Sequence, residues 1–343
     1  MKYIKTQDSV GHVLCHDVTQ IIKDVKKDTV FRKGHIITES DIPVLLSIGK
    51  DHVYIWEENS NRFHENDAAE ILAGLCKNVN MHATEPKEGK IELFAEINGL
   101  LMVDIKRLNR VNSIGELMIA TRALGSYVKK GDKLCGTRVI PLTINKAKIE
   151  RAKKTAGTKP LLELIPARKK KYGLINTGNE IFHGRIKDTF TPVIQEKMRA
   201  FGCEMVKNVT LEDNWEFITA AIKDMLDSGV DMVLCTGGMS VDPDDKTPLA
   251  IKKAAGKGNV ASYGAPVLPG AMFMLAYTDD GRPICGLPGC VMYNKRTIFD
   301  IVLPRLLAGV KVTKQWLAEL GNGGLCIGCE NCHFPHCAFG KGI

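Results

Sequence analysis

The run Asp231-Met-Val-Leu-Cys-Thr-Gly-Gly-Met-Ser-Val-Asp-Pro-Asp-Asp245 decides how this chain of 343 residues is read. Its first half is a short apolar stretch closed by turn residues, the pattern of a buried parallel strand. Two glycines end that strand and let a ligand approach the backbone. In open α/β sheets, ligands sit outside the carboxyl ends of the strands. Asp242, Asp244 and Asp245 follow at once, and carboxylates at that density suit a hard cation such as Mg²⁺. The run therefore predicts a site for a phosphorylated ligand with a metal. A glycine turn leading into an acidic helix start is the plainer reading of the same residues.

Outward from this run, strands and helices alternate. Tyr172 to Gly178 reads as a strand and turn, and Thr191 to Phe201 as a helix with Pro192 in its first turn. Glu204 to Thr210 is a second strand, and Asn214 to Ser228 is a helix stopped by Gly229. A βαβαβ order predicts a parallel, doubly wound sheet with helices on both faces. Further strands around Val267 and over Met272–Tyr277 precede a final helix after Pro288-Gly289, which Pro304 bends or ends. Three segments, Thr177-Gly-Asn-Glu180, Thr236-Gly-Gly238 and Gly286-Leu-Pro-Gly289, offer backbone N–H groups at strand ends or helix starts. Such positions favour anions, and three on one unit predict a phosphate- or nucleotide-like pocket.

Upstream, residues 1–60 read as a small α+β unit and 61–83 as a connecting helix centred on Asp67–Cys76. Residues 84–145 read as a β-rich unit, with Asn98-Gly99 as a hairpin turn between Leu93-Phe-Ala95 and Leu100–Val103. His12, His16 and His35 of the first unit have no supporting Cys or carboxylate pattern and take structural roles. Residues 146–171 read as a basic connector. Ten Lys or Arg stand against two Glu there, which accounts for the net charge of +8. That cluster is either a solvated linker or an attractor of anions. The α/β domain spans 172–310 and a Cys-rich tail spans 311–343.

Such localised charge does not suit a nucleic-acid protein, and no apolar run is long enough for a membrane span. The amino-terminal residues carry no apolar signal core, so a cytoplasmic protein with reduced thiols is expected.

Residues 172–310 resemble the molybdopterin-binding domain of the molybdenum-cofactor biosynthesis family. The matching segments are Thr177-Gly-Asn-Glu-Ile181, Asp188, Asp213, Thr236-Gly-Gly-Met-Ser-Val241 with Asp245, Pro269-Gly270 and Leu287-Pro-Gly289. The upstream units resemble, more loosely through Phe31-Arg-Lys-Gly34, the amino-terminal part of molybdopterin molybdenumtransferase. The resemblance implies a pterin phosphate ligand and a reaction of adenylylated molybdopterin with molybdate and Mg²⁺ that releases AMP. It implies that Asp245, with Asp244, holds Mg²⁺ and that Asp245 and Asp188 serve catalysis. It also implies a ligand cradle of Thr177, Gly178, Glu180, Thr236, Gly237, Gly238, Ser240, Pro269, Gly270, Pro288 and Gly289. A homodimer and contacts with molybdoenzymes or other cofactor-biosynthesis proteins are further expectations. The sequence departs from the family pattern where Asp242 replaces a frequent Gly and Cys290-Val291 replaces Asn-Pro. An Asp-Gly-aromatic-Ala motif of the insertase is absent.

The tail holds Cys326-Ile-Gly-Cys329-Glu-Asn-Cys332-His-Phe-Pro-His-Cys337. Thiolates at this density predict a metal site. The first two spacings match a ferredoxin run for a [4Fe–4S] cluster, the last is one residue longer and lacks the following Pro, and zinc, with His333 or His336 able to replace a Cys, stays open. Gly321-Asn-Gly-Gly324 reads as a flexible joint that makes the tail a local unit. Molybdate insertion is the leading expectation for the whole chain. A non-catalytic pterin carrier or redox- or metal-sensing regulator, which the missing motif favours, and a nucleotide pyrophosphatase on the same fold are its rivals.

Overall fold

The computed structural model describes residues 2–22, 26–55, 61–243, 245–256 and 258–342. Trp56, placed at the end of a strand by its sequence, and Asp244 lie outside them. The chain forms two units, one of residues 1–97, 103–122 and 129–164, the other of 98–102, 123–128 and 165–343. No described helix is long and apolar enough to cross a membrane.

The first unit contains a small core of Leu14, Val18, Ile37, Leu45, Val53 and Ile55. It also contains a four-stranded antiparallel sheet of Met81–Ala83, Lys90–Ala95, Lys133–Val139 and Leu117–Thr121, in that order. The helix Glu65–Cys76 packs on this sheet through Ala68, Ala69, Leu72, Ala73 and Cys76. It belongs to the unit and is not a connector between units.

Two sequence expectations fail upstream. Asn98-Gly99 does not close a hairpin. Strand Lys90–Ala95 pairs with Lys133–Val139 and Met81–Ala83, while Gly99–Val103 pairs with Ser126–Val128. A two-residue type I′ turn requires positive φ at both central residues, and neither Asn98 nor Gly99 adopts it. The basic segment 146–171 is not a linker either. Asn145 caps Ala147 N–H at 2.8 Å and starts the helix Lys146–Ala156. Ile149, Ala152 and Ala156 are its buried face, so its lysines are the solvated face of an amphipathic helix.

The second unit is built on a six-stranded sheet. Its strands are β1 Lys171–Thr177, β2 Glu204–Leu211, β3 Met232–Thr236, β4 Val260–Tyr263, β5 Met274–Tyr277 and β6 Pro283–Leu287. Their order is β2-β1-β3-β6-β5-β4. The pairs β2–β1, β1–β3 and β3–β6 are parallel, and β6–β5 and β5–β4 are antiparallel. No strand forms around Val267, contrary to the sequence expectation; β4 ends four residues before it, at Tyr263.

The helices are α1 Asn179–Phe182, α2 Phe190–Arg199, α3 Trp215–Asp227, α4 Thr247–Ala255, α5 Ile298–Leu307 and α6 Lys314–Glu319. The period of two along β1 and β3 divides the core. Leu174, Met232 and Leu234 join Ile194 and Met198 of α2 and Phe299 and Val302 of α5 in one cluster. Ile175, Val233 and Cys235 join Ile218 and Ile222 of α3 and Ala250 and Ile251 of α4 in the other. The central strands therefore carry apolar residues on both faces. The helix expected after Pro288-Gly289 is α5, which starts at Ile298, not at Gly289. Thr297 and Asp300 form its capping box, and it continues past Pro304 to Leu307. Gly289 opens a short 3₁₀ turn, Gly289–Met292.

The tail is part of this unit's core. Cys326 N–H donates to Leu268 O at 2.8 Å, and Leu268 N–H donates to Gly324 O at 2.8 Å. Phe339 is buried, and Cys326, Phe334 and Cys337 pack on the α2/α5 cluster. Gly324 is a point of close approach, not a joint, since a Cβ there would lie 2.4 Å from Pro266 O.

Candidate functional site

The chain leaves β1 toward β2 on one side and later places β3 on the other. The carboxyl ends of β1 and β3 therefore flank a topological switch point, where open sheets leave a crevice. Asn176 stands opposite Thr236, and Thr236 stands opposite Leu287. The ends of β1, β3 and β6 thus form one edge.

Behind this edge lies a layer of paired polar side chains. Thr236 Oγ1 donates to Asn176 Oδ1 at 2.6 Å. The Asn176 amide donates to Asp188 Oδ2 at 2.9 Å and to Thr191 Oγ1 at 2.8 Å. Asp188 Oδ1 accepts from the N–H groups of Phe190 and Thr191 at 2.9 and 3.0 Å, capping α2. Thr177 and Thr247 hydroxyls meet at 3.0 Å. Asn176, Thr177, Thr236 and Thr247 are all buried. Buried polar groups need such partners, and a fully satisfied network fixes the strand ends.

The turn after β3 lies in front of this layer. Gly237 has φ 83°, and a Cβ there would lie 2.0 Å from Thr177 O. Gly238 has φ 54°, and its Cβ would lie within 3.0 Å of Thr247 Oγ1, Asp213 Oδ1 and Thr177 Oγ1. Glycine is thus required by conformation and by space. Ser240 N–H donates to Asp245 Oδ2 at 2.6 Å, closing the turn. Tyr263 Oη donates to Met239 O at 3.1 Å from the other side.

Asp213, two residues beyond β2, completes the edge. Its Oδ2 accepts from Asn179 N–H at 3.2 Å. Its Oδ1 is buried and makes no aligned hydrogen bond among the described residues. Burial raises its pKa. Thr177 and Asn179 N–H oppose that rise, and the charges of Asp245 and Glu180 add to it.

A cavity of about 640 Å³ opens here. Gly237, Gly238, Ser240, Asp245, Pro269, Gly270, Pro288 and Gly289 line it, all of them expected from the sequence. Met239, Leu268, Cys290, Tyr293 and Asn294 also line it and were not among the expected ligand contacts. Thr177, Gly178, Glu180, Asp188 and Thr236 are not among its lining residues. Thr177 and Thr236 spend their hydroxyls on the layer behind, and Asp188 spends its carboxylate on the α2 cap. These three support the turn and are not among the residues lining the cavity. Cys235 and Cys285 are core thiols. Burial raises both pKa values, that of Cys285 to about 12. Cys290 faces the cavity, and burial raises its thiol too.

Residues 173–308 match the family described as "Probable molybdopterin binding domain", and residues 3–57 match "Domain of unknown function (DUF8806)". The CinA-like protein of Thermosipho melanesiensis is 36% identical over 88 residues, 26% of this chain and 22% of that protein. The CinA-like protein of Fervidobacterium nodosum is 30% identical over 88 residues, 26% of this chain and 21% of that protein. The chain thus spans only about a fifth of the length of these relatives. Among solved structures, the protein CinA from Thermoplasma acidophilum has 18% identity and a TM-score of 0.36, covering 40% of this chain and 98% of that one. The molybdopterin biosynthesis enzyme MoaB from Thermus thermophilus has 21% identity and a TM-score of 0.33, covering 41% and 97%.

Proposed function

Taking residues 173–308 as a molybdopterin-binding domain by family, we propose that the carboxyl edge of the sheet binds adenylylated molybdopterin and promotes molybdate insertion with release of AMP. The glycine turn carries this reading. With no Cβ at 237 or 238, a phosphate can lie against the backbone at the switch point. The apolar wall of Leu268, Pro269 and Met239 suits a planar ring system beside the phosphate.

Asp213, Asp245 and Glu180 would repel a bare phosphate, so the edge needs a cation. Magnesium fits the donor set. Asp213 Oδ1 is a buried carboxylate oxygen with no aligned hydrogen bond among the described residues, and Asp245 stands close enough for its charge to raise the Asp213 pKa. These two residues would hold the ion, which supplies charge neutralisation at the phosphate when bound. Asp245 has a second task, because its bond to Ser240 N–H sets the shape of the turn.

The test is release of AMP from adenylylated molybdopterin in the presence of magnesium, with and without molybdate. Wild type should release AMP only when molybdate is present. Asp245→Asn keeps an oxygen for Ser240 N–H, so the fold should hold, and ligand affinity should fall far less than turnover. Turnover should fall on the order of a hundredfold, as expected for a contact made mainly in the transition state. Tight binding by wild type without molybdate-dependent AMP release would replace the insertase with a pterin carrier.

A further inference from the structure

Cys326, Cys329, Cys332 and Cys337 all line one cavity of about 220 Å³, together with Arg296, His333 and Phe334. All four are free thiols, Cys329 and Cys332 exposed and the other two half-buried. We propose that these four cysteines bind a [4Fe–4S] cluster, and that its presence orders the segment Tyr293–Arg296, whose first two residues line the neighbouring ligand cavity.

Three observations separate a cluster from a single ion. First, three of the cysteines recur at intervals of three residues, as in cluster-binding runs. Zinc sites are more often built from two separated Cys pairs. Second, all four thiols line a single cavity. A zinc ion needs all its sulfurs at about 2.3 Å from one centre. A cubane takes one thiolate at each of four irons, so its ligands ring a cavity, as these do. Each cysteine has one side-chain torsion to adjust, and no helix or strand in 326–337 opposes the movement. Third, the cavity has a cationic donor. Arg296 Nε is buried and has no partner among the described residues. The Arg296 guanidinium is held over the Phe334 ring at 5.3 Å and by Asp300 at 2.9 Å. The sulfurs of an anionic cluster accept N–H bonds, and such bonds tune its potential.

The link to the ligand cavity is direct, because Tyr293 and Asn294 line both cavities. At its other end this wall is fixed by Asp300, which also takes Lys197 Nζ at 2.8 Å. A cluster at the cysteines would immobilise the remaining side.

The test uses the full chain reconstituted without oxygen with ferrous iron, sulfide and a thiol reductant, and needs no pterin, so it stands apart from the proposed reaction. About four irons and four sulfides per chain are expected, with a visible absorption band that bleaches on reduction. Cys329→Ser and Cys332→Ser, at exposed positions that leave the core intact, should each lose most of the iron and the band. Arg296→Met should keep the cluster and lower its reduction potential, because a cation facing the sulfurs is lost. Backbone hydrogen exchange at 293–296 should slow when the cluster is loaded. A colourless protein that retains zinc and refuses iron would overturn the proposal, as would full iron retention in both serine variants. Exchange at 293–296 indifferent to loading would overturn the link to the ligand cavity.

Discussion

At its carboxyl edge the six-stranded sheet borders a cavity of about 640 Å³, and at its amino edge one of about 530 Å³. Size does not distinguish them; the state of their polar atoms does. At the amino edge the charges satisfy one another. Arg282 binds Asp280 at 2.8 Å and donates to Leu226 O at 2.6 Å and Val230 O at 3.2 Å. Asp231 takes Lys171 N–H at 2.8 Å and Lys170 Nζ at 3.4 Å. Asn259 donates to Asp279 at 2.7 Å. These bonds tie the starts of the strands to the loops around them. At the carboxyl edge, glycines leave the backbone bare and a buried Asp213 oxygen has no partner among the described residues. Leaving a buried oxygen unsatisfied costs about 1–3 kcal/mol. Such a cost persists where function demands it, so the difference supports the proposed ligand site at one edge and structural support at the other.

One glycine from each edge puts this to its hardest test. Gly237 and Gly281 have nearly the same φ, 83° and 86°. An added Cβ would strike Thr177 O at 237 and meets nothing within 4 Å at 281. Gly281→Ala should cost only the left-handed backbone penalty, about 1–2 kcal/mol. Gly237→Ala must also displace the end of β1 and should cost about 3 kcal/mol or more, with ligand binding lost. Denaturant melts of both variants measure the gap, and equal costs would mean the turn after β3 is not closely packed.

Arg282→Ala comes next in size. It strands two backbone carbonyls, Leu226 O in the last turn of α3 and Val230 O beyond it, and should cost roughly 1–3 kcal/mol. Ligand affinity, measured by calorimetry on the folded variant, should stay at the wild-type value. A loss of affinity would give the amino edge a functional role and end the contrast.

The sequence shows the carboxyl edge well where its signal is local. Two glycines after an apolar run mark a strand end, and the alternation from Lys171 onward marks the parallel sheet. It shows much less where the deciding partner is remote. Thr236 looks like a ligand contact until Asn176, 60 residues away, is seen to occupy its hydroxyl. Asp188 looks catalytic until the α2 N–H groups claim it. Strand β6 is hard to read because Pro-Ile-Cys-Gly-Leu contains two breakers, and α4 starts among the acidic residues that suggest a metal loop. Asn98-Gly99 carries a strong hairpin signal, yet its flanking strands find other partners, because sheet pairing outweighs local turn preference.

The smallest expected effect is also the one that links the orphan oxygen to pH. Burial raises the folded-state pKa of Asp213 above its usual carboxylate value. In the interval between the two values, the folded protein holds a proton that the unfolded chain has lost. Stability attributable to this group therefore falls as pH rises through that interval and stays low above it. Asp213→Asn removes the charge and keeps the shape. It should match wild type in acid and melt about 2–4 °C higher at neutral pH, while losing the cation contribution to ligand binding. A gain in stability paired with weaker binding is the trade expected of a residue kept for function. Thermal melts across pH with parallel binding measurements decide it. An equal stability difference at acid and neutral pH would show that Asp213 carries no buried charge, and the carboxyl edge would then be as well satisfied as the amino edge.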